Sequence, residues 1–96
     1  MIQPIIANRD VTKHILKSFN IHMSKRLGQN FLIDTGILEE IIEAAQITKD
    51  DFVLEIGPGI GTMTQYLAEV AREVTAVEID DALIPILKDT LKEWDN

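Results

Sequence analysis

The apolar positions in the first half of the chain repeat at helical spacing in two places. Val11, Ile15 and Phe19 recur every four residues and predict a first helix. Asp10 is its expected N-cap, and the helix should fade near Asn20. A second helix is predicted where glutamates lie opposite an apolar face. That face comprises Ile37, Leu38, Ile41, Ile42 and Ala45, and the opposite face comprises Glu39, Glu40 and Glu43.

The second half alternates short apolar runs with helical patterns. Residues 52–56 and 74–79 are apolar, partly β-branched runs of the kind that form buried strands. Between them Met63, Tyr66, Leu67, Val70 and Ala71 follow helical spacing. A last helix is marked by Leu83, Leu87, Leu91 and Trp94, with Asp80 as a cap residue and Pro85 tolerated in the first turn. Two strands joined by a helix predict a right-handed βαβ unit with parallel strands.

This element order predicts an α/β fold that is truncated. Two parallel strands are too few to cover both faces and both edges of a sheet. We therefore expect the chain to be the first part of a larger α/β protein. Copies of the isolated chain could also associate through the incomplete sheet, and the sequence leaves this question open.

Composition limits the possible classes of protein. The chain has 96 residues, of which 46% are hydrophobic and 26% charged, as in ordinary globular domains. Its apolar runs are shorter than the ~20 residues that span a bilayer, and its first ten residues do not resemble a signal peptide. Cysteine is absent, which excludes disulfides and thiolate chemistry. His14 and His22 have no partner at ligand spacing, so no metal site is expected. These features predict a cytoplasmic protein without membrane contact.

Charge is unevenly distributed along the chain. The net charge of −7 argues against a nucleic-acid partner, but residues 1–35 carry five basic and two acidic side chains. Residues 36–96 carry four basic and fourteen acidic side chains. A basic N-terminal segment suits phosphate contacts, although a solvated helix of mixed charge explains the same pattern and is favoured on this signal alone.

Three alternating glycines follow the first predicted strand. Gly57, Gly59 and Gly61 would let a ligand approach the main chain closely and would permit positive φ angles. A structural turn explains such a motif about as well when it stands alone. Here it joins a strand to a helix, and Glu78 lies 21 residues after Gly57 at the end of the next strand. A carboxylate there can accept hydrogen bonds from the two hydroxyls of a ribose.

The residues around the glycines separate two classes of cofactor. The dinucleotide motif GxGxxG requires a glycine where this chain has Thr62. Glu55 precedes the glycines and would repel a diphosphate but attract an ammonium group. S-adenosylmethionine has an ammonium group and a ribose and lacks phosphate, so it is favoured over a nicotinamide dinucleotide.

Three motifs resemble those of one enzyme family. KRLGQNFLID at residues 25–34, VLEIGPGIGTMTQYLA at residues 53–68 and VTAVEID at residues 74–80 closely resemble the bacterial small-subunit rRNA adenine dimethyltransferases. The resemblance implies a Rossmann-like methyltransferase sheet and two methyl transfers from S-adenosylmethionine to N6 of each of two adjacent adenines. It also implies action on immature small ribosomal subunits during ribosome biogenesis.

The resemblance assigns roles to individual residues. Asn30 and Leu32 would contact the methionine end of the cofactor, and Gly57 would line it through its backbone. Glu78 would bind the ribose, and Glu55 would reach the ammonium group directly or through water. Gly59 and Gly61 would shape the turn and are further candidates for contact with the cofactor. Lys25 and Arg26 border the segment that closes over the cofactor and are candidates for RNA phosphate contacts.

The resemblance also divides the chain and limits its chemistry. Residues 1–35 would form a helix and a basic cofactor-covering segment, and residues 36–96 the first half of the cofactor-binding domain. The family's motif for the target adenine has no counterpart here, so no catalytic residue is assigned and the chain alone is expected to be inactive. A nicotinamide-dependent oxidoreductase and a non-catalytic RNA or ribosome-assembly module of the same fold remain the alternatives.

Overall fold

The computed structural model describes residues 9–19 and 35–96. Its helices and strands follow the predicted order: α1 (Arg9–Ser18), α2 (Thr35–Ala45), β1 (Phe52–Ile56), α3 (Thr62–Val70), β2 (Glu73–Val77) and α4 (Ile84–Thr90), with a single 3₁₀ turn (Asp81–Leu83) before α4. No helix within the described ranges is long and apolar enough to cross a membrane.

Several element ends differ from the sequence prediction. The helix α1 begins at Arg9, so Asp10 lies in its first turn, where its charge favours the helix dipole, and is not the N-cap. The strand β2 ends at Val77, before the predicted end of the apolar run. The helix α4 ends at Thr90, and Trp94 lies beyond it with its indole N–H donating to Glu69 Oε1 at 2.7 Å.

The predicted cap residue of the last helix caps the 3₁₀ turn that leads into α4, and the N-cap of α4 itself is Leu83, without a side-chain hydrogen bond. Asp80 Oδ1 accepts a hydrogen bond from the backbone N–H of Ala82 at 3.0 Å and caps the 3₁₀ turn. Pro85 lies in the first turn of α4, where its missing N–H has no helical acceptor to lose.

The two strands form a parallel pair whose faces differ in burial. The register runs from Phe52 opposite Glu73 to Ile56 opposite Val77. Glu55 faces α3, because its carboxylate accepts the hydroxyl of Thr64. The alternate side chains of β1 point away from α3, and Phe52, Leu54 and Ile56 are 68%, 64% and 72% exposed.

The prediction that both strands are buried is therefore wrong for this chain. An apolar run indicates that a strand can be covered on both faces, but among the described elements α3 covers one face only. The guanidinium of Arg72, 5.8 Å from the ring centroid of Phe52, lies over part of the other face.

One cluster of the core joins the glycine loop to the 3₁₀ turn and α4. Ile60, Leu83 and Ile86 are fully buried in one cluster. Ile15 and Leu16 of α1, and Phe19 directly after it, pack against this cluster, which confirms that the predicted apolar positions Ile15 and Phe19 face the core. Because Ile60 belongs to the glycine loop, the loop contributes directly to the core.

The carboxyl end of α3 is held by side chains from two other segments. Lys49 Nζ donates to the carbonyl of Glu69 at 2.8 Å. Asn96 Nδ2 donates to the carbonyls of Ala68 and Ala71 at 3.0 and 3.2 Å. These donors satisfy carbonyls that the last turn of a helix leaves without intrahelical partners.

Candidate cofactor site

The glycine loop, residues 57–61, connects the carboxyl end of β1 to the first turn of α3. Its three glycines have φ angles of 73°, 63° and 93° in chain order. This left-handed region is costly for residues with a Cβ and open to glycine. The N–H of Gly57 donates to the carbonyl of Val77 at 2.8 Å, so the pairing of the strands extends one residue into the loop.

The first and last glycines of the loop have opposite surroundings. A Cβ on Gly57 would meet nothing within 4 Å. A Cβ on Gly61 would lie 2.9 Å from Thr90 Oγ1 and 3.3 Å from Leu87 Cδ2. The loop thus has an open end at Gly57, where a ligand can reach the main chain, and a closed end at Gly61, which packs against α4.

Glu78 joins the open end of the loop to the end of β2. Its Oε1 accepts the backbone N–H of Gly59 at 3.0 Å, and its Oε2 accepts the N–H of Asp80 at 3.0 Å. The side chain is half-buried. Each carboxylate oxygen has a second lone pair, so both can still accept a hydroxyl from a ligand.

Glu55 lies on the α3 side of β1 and accepts a hydrogen bond from the Thr64 hydroxyl. Burial raises the pKa of the Glu55 carboxyl above its ordinary value, and the Thr64 hydrogen bond opposes that rise. A partly buried carboxylate of this kind gains when a cation approaches, because the cation compensates for lost hydration.

Two further residues support the closed end of the loop and were not singled out from the sequence. The Thr90 hydroxyl donates to the carbonyl of Ile60 at 2.8 Å, and the Gln65 side-chain amide donates to the carbonyl of Thr90 at 2.8 Å. No motif links Thr90 to Ile60 or Gln65. Thr90 carries a signal, because helical spacing places it on the same face as Leu83 and Leu87. Gln65 carries none, because helical spacing places it opposite the predicted apolar face of α3.

The structure brings together some of the predicted site residues. Gly57, Gly59 and Glu78 meet at the carboxyl end of the parallel pair, with Glu55 on β1 beside them. Asn30, Leu32, Lys25 and Arg26 lie outside the described residues. Among the residues that the structure does describe, no group of three or more histidine, aspartate or glutamate side chains is placed to hold a metal ion.

Solved structures of similar chains have the same fold. The chain is 40% identical to a dimethyladenosine transferase from Plasmodium falciparum, with a TM-score of 0.65 over 70% of this chain and 26% of that one. It is 43% identical to the 23S rRNA methyltransferase ErmE, with a TM-score of 0.63 over 68% of this chain and 27% of that one. The fold is that of a Rossmann-like methyltransferase, as predicted.

The sequence comparisons specify the family. Residues 18–96 match the family model for ribosomal RNA adenine dimethylases. The chain is 65% identical over 86 residues to a ribosomal RNA small subunit methyltransferase A of Lachnoclostridium phytofermentans, and 55% identical over 91 residues to that of Latilactobacillus sakei. The chain therefore belongs to the ribosomal RNA adenine dimethylase family, whose members depend on S-adenosylmethionine.

The matches cover this chain and those relatives unequally. They include 88% and 95% of this chain but 30% and 31% of the two relatives. The chain thus spans about a third of the length of the curated relatives, which confirms the prediction that it is part of a larger α/β protein.

Proposed function

We propose that the chain forms the S-adenosylmethionine-binding part of an enzyme that dimethylates N6 of two adjacent adenines in small-subunit rRNA. The methyl donor would be bound at the open end of the glycine loop. No group in the chain is proposed to act on the target adenine, so the isolated chain is expected to be inactive.

The observation that carries this proposal is the placement of Glu78 beside Gly57. The half-buried carboxylate of Glu78 is held by two backbone N–H groups, and the Gly57 main chain has no neighbour where a Cβ would lie. A nucleoside whose ribose binds Glu78 would pass close to this exposed backbone. The partly buried Glu55 carboxylate supplies a partner for the ammonium group of the same cofactor.

Asn30 and Leu32 are proposed to contact the methionine end of the cofactor. Both lie inside residues 18–96, which match the family model, and within the QNFL motif that carries the resemblance. Gly59 and Gly61 are proposed to shape the loop rather than to contact the cofactor, since Gly59 donates to Glu78 and Gly61 is buried.

The proposed partner is the rRNA of an immature small ribosomal subunit in the cytoplasm, reached during ribosome biogenesis. The names of the relatives at 48–65% identity support the small subunit as the target.

Lys25 and Arg26 are proposed to contact RNA phosphates. In the full-length protein Lys25→Ala should weaken rRNA binding and reduce its dependence on salt. A salt dependence identical to that of the wild type would contradict this contact.

Calorimetric titration of the full-length protein tests the cofactor. S-adenosylmethionine should bind with micromolar affinity, and NAD should not bind. Binding of NAD without binding of S-adenosylmethionine would instead support the oxidoreductase alternative, which Thr62 and Glu55 disfavour.

A methyl-transfer assay separates the enzyme from a non-catalytic module of the same fold. Unmethylated small ribosomal subunits are incubated with the full-length protein and labelled S-adenosylmethionine, and the label should appear in dimethyladenosine. Cofactor binding without transfer of label to adenine would favour a binding module.

The isolated 96-residue chain is further proposed to self-associate through the exposed face of its sheet. Phe52, Leu54 and Ile56 are exposed on this face, and Val77 and Ile79 are 46% and 78% exposed at the end of β2. Apolar area of this kind favours association. Sedimentation of the isolated chain should show dimers or larger species, and a concentration-independent monomer would contradict the proposal.

A further inference from the structure

The closed end of the glycine loop is held by the last residue of α4. Thr90 is 3% exposed, and its hydroxyl donates to the carbonyl of Ile60 at 2.8 Å. Its own carbonyl accepts the side-chain amide of Gln65 at 2.8 Å. Thr90 therefore connects the loop, the first turns of α3 and the end of α4 through two buried hydrogen bonds.

The same contact explains why residue 61 lacks a side chain. A Cβ there would lie 2.9 Å from Thr90 Oγ1, a separation that real Cβ atoms do not adopt. The missing Cβ lets the end of α4 approach closely enough for the Thr90 hydroxyl to reach the Ile60 carbonyl. A buried carbonyl needs such a donor, so the position of this part of the loop depends on Thr90.

The loop is thus held from two sides. Glu78 binds the N–H of Gly59 on the open side, and Thr90 binds the carbonyl of Ile60 on the closed side. The bonded N–H and the bonded carbonyl belong to adjacent residues of the loop, Gly59 and Ile60. Loss of the Thr90 contact would leave the Ile60 carbonyl without this partner and free the backbone next to the Gly59 amide to move.

We propose that Thr90 is a positioning residue for the cofactor site: buried and out of reach of a ligand, it sets the place of the loop backbone that S-adenosylmethionine contacts. The inference rests on the proposed function for its ligand. Its geometric content, that the Thr90 hydroxyl holds the loop, does not depend on the identity of that ligand.

Three variants of the full-length protein test this role. Thr90→Val keeps the shape of the side chain and removes the hydroxyl, and Thr90→Ser keeps the hydroxyl. Leu38→Val trims a fully buried side chain of α2 that does not belong to the cluster around Ile60. We expect Thr90→Val to raise the Kd for S-adenosylmethionine about tenfold and Thr90→Ser to stay within about twofold of the wild type. Leu38→Val should lower Tm without changing Kd.

Hydrogen exchange of the ligand-free protein provides a readout that needs no cofactor. The N–H of Gly59 is bonded to Glu78 and that of Gly61 to the Pro58 carbonyl at 3.0 Å. In Thr90→Val both amides should exchange about tenfold faster, since their protection depends on local opening. The amide of Ala71 at the far end of α3, bonded to the carbonyl of Leu67, should be unaffected.

The outcomes separate this inference from the proposed function. A Thr90→Val protein that loses Tm as Leu38→Val does, with unchanged Kd and unchanged exchange at Gly59 and Gly61, would show a merely structural role and overturn the inference. A wild type that does not bind S-adenosylmethionine would contradict the proposed function. If exchange in that case still rises in Thr90→Val and not in Thr90→Ser, the positioning role of Thr90 is supported.

Discussion

The two ends of the glycine loop use the same residue type for different physical reasons. At the open end, Gly57 has φ 73° and empty space where a Cβ would lie. At the closed end, Gly61 has φ 93°, and its missing Cβ makes room for Thr90 and Leu87. Both glycines permit a left-handed backbone, but only Gly61 is also required by packing.

This difference shows that a glycine motif combines structural and binding roles. The closed end stabilises the fold, because it places Ile60 in the core and receives the hydroxyl of Thr90. The open end leaves main chain accessible to a ligand, next to Glu78. Substitutions at the two ends should therefore differ in how much stability they cost.

The largest effect is expected from Gly61→Ala in the full-length protein. A left-handed residue with a Cβ costs about 1–2 kcal/mol, and the contact with Thr90 adds an overpacking cost of about 1–3 kcal/mol. We therefore expect the free energy of unfolding to fall by about 3 kcal/mol in denaturant titrations. Gly57→Ala is the matched control and should lose only the backbone cost. Equal losses in the two variants would contradict the distinction between the ends.

Glu78→Ala should weaken binding of S-adenosylmethionine by about 1.5–3 kcal/mol in calorimetry, the range for hydrogen bonds to a charged group. The carboxylate also holds the N–H groups of Gly59 and Asp80, so some of this loss reflects the loop itself. Glu78→Gln keeps the shape and one acceptor oxygen and should lose less. Unchanged affinity in Glu78→Ala would contradict the ribose assignment.

Gly57→Ala should weaken cofactor binding about tenfold, or roughly 1.4 kcal/mol, and should lose stability only by the backbone cost of about 1–2 kcal/mol. The added methyl group would occupy the space through which the ligand approaches the backbone. Comparison of its Kd with that of the wild type, measured well below both unfolding transitions, tests the open end directly. Full affinity in Gly57→Ala would place the ligand elsewhere.

The smallest effect is expected from Glu55→Gln, which should raise the melting temperature and weaken cofactor binding. Burial raises the pKa of Glu55 above the ordinary 4.5, so the folded state favours the protonated carboxyl. This contribution to the free energy of unfolding is fully present below the pKa of Glu55 in the unfolded chain. It is lost as the pH rises through the pKa of Glu55 in the folded chain. The variant should therefore melt at a higher temperature than the wild type at pH 7, and the difference should vanish below about pH 4.

The same variant should bind S-adenosylmethionine more weakly at pH 7, because the carboxylate proposed to face the ammonium group is gone. The amide oxygen of glutamine can still accept the Thr64 hydroxyl, so the local hydrogen bond is retained. A rise in melting temperature with unchanged Kd would remove Glu55 from the cofactor site and leave its pH effect on stability intact.

Much of the fold follows from spacing along the chain. Helical repeats and short apolar runs predict the element order, because periodicity reports which side chains share a face. The ends of α4 and β2 were harder to predict. Trp94 continues the apolar pattern of α4 beyond its last residue, Thr90, and Ile79 continues that of β2 beyond its last residue, Val77. The exposed face of β1 could not be predicted from its own residues, because their burial depends on what packs against them.

The site divides in the same way. The glycines and Glu78 lie within sequence motifs, so their roles in cofactor binding could be predicted. These roles stay predictions. That Glu78 also holds the loop through Gly59, and that Thr90 supports it from 30 residues away, depends on contacts between elements. Periodicity within a helix shows that Thr90 faces inward but does not show which carbonyl it meets.

The anchoring of α3 at its carboxyl end has a consequence for motion. An isolated helix of nine residues would be marginal in water, so the rigidity of α3 comes from its contacts. Lys49 and Asn96 prevent fraying at its far end, and Gln65 ties its first half to Thr90. Helix α3 should therefore behave as a stationary support for the glycine loop. A rearrangement that admits a ligand would then involve the open side of the loop, around Gly57 and Glu78, rather than α3.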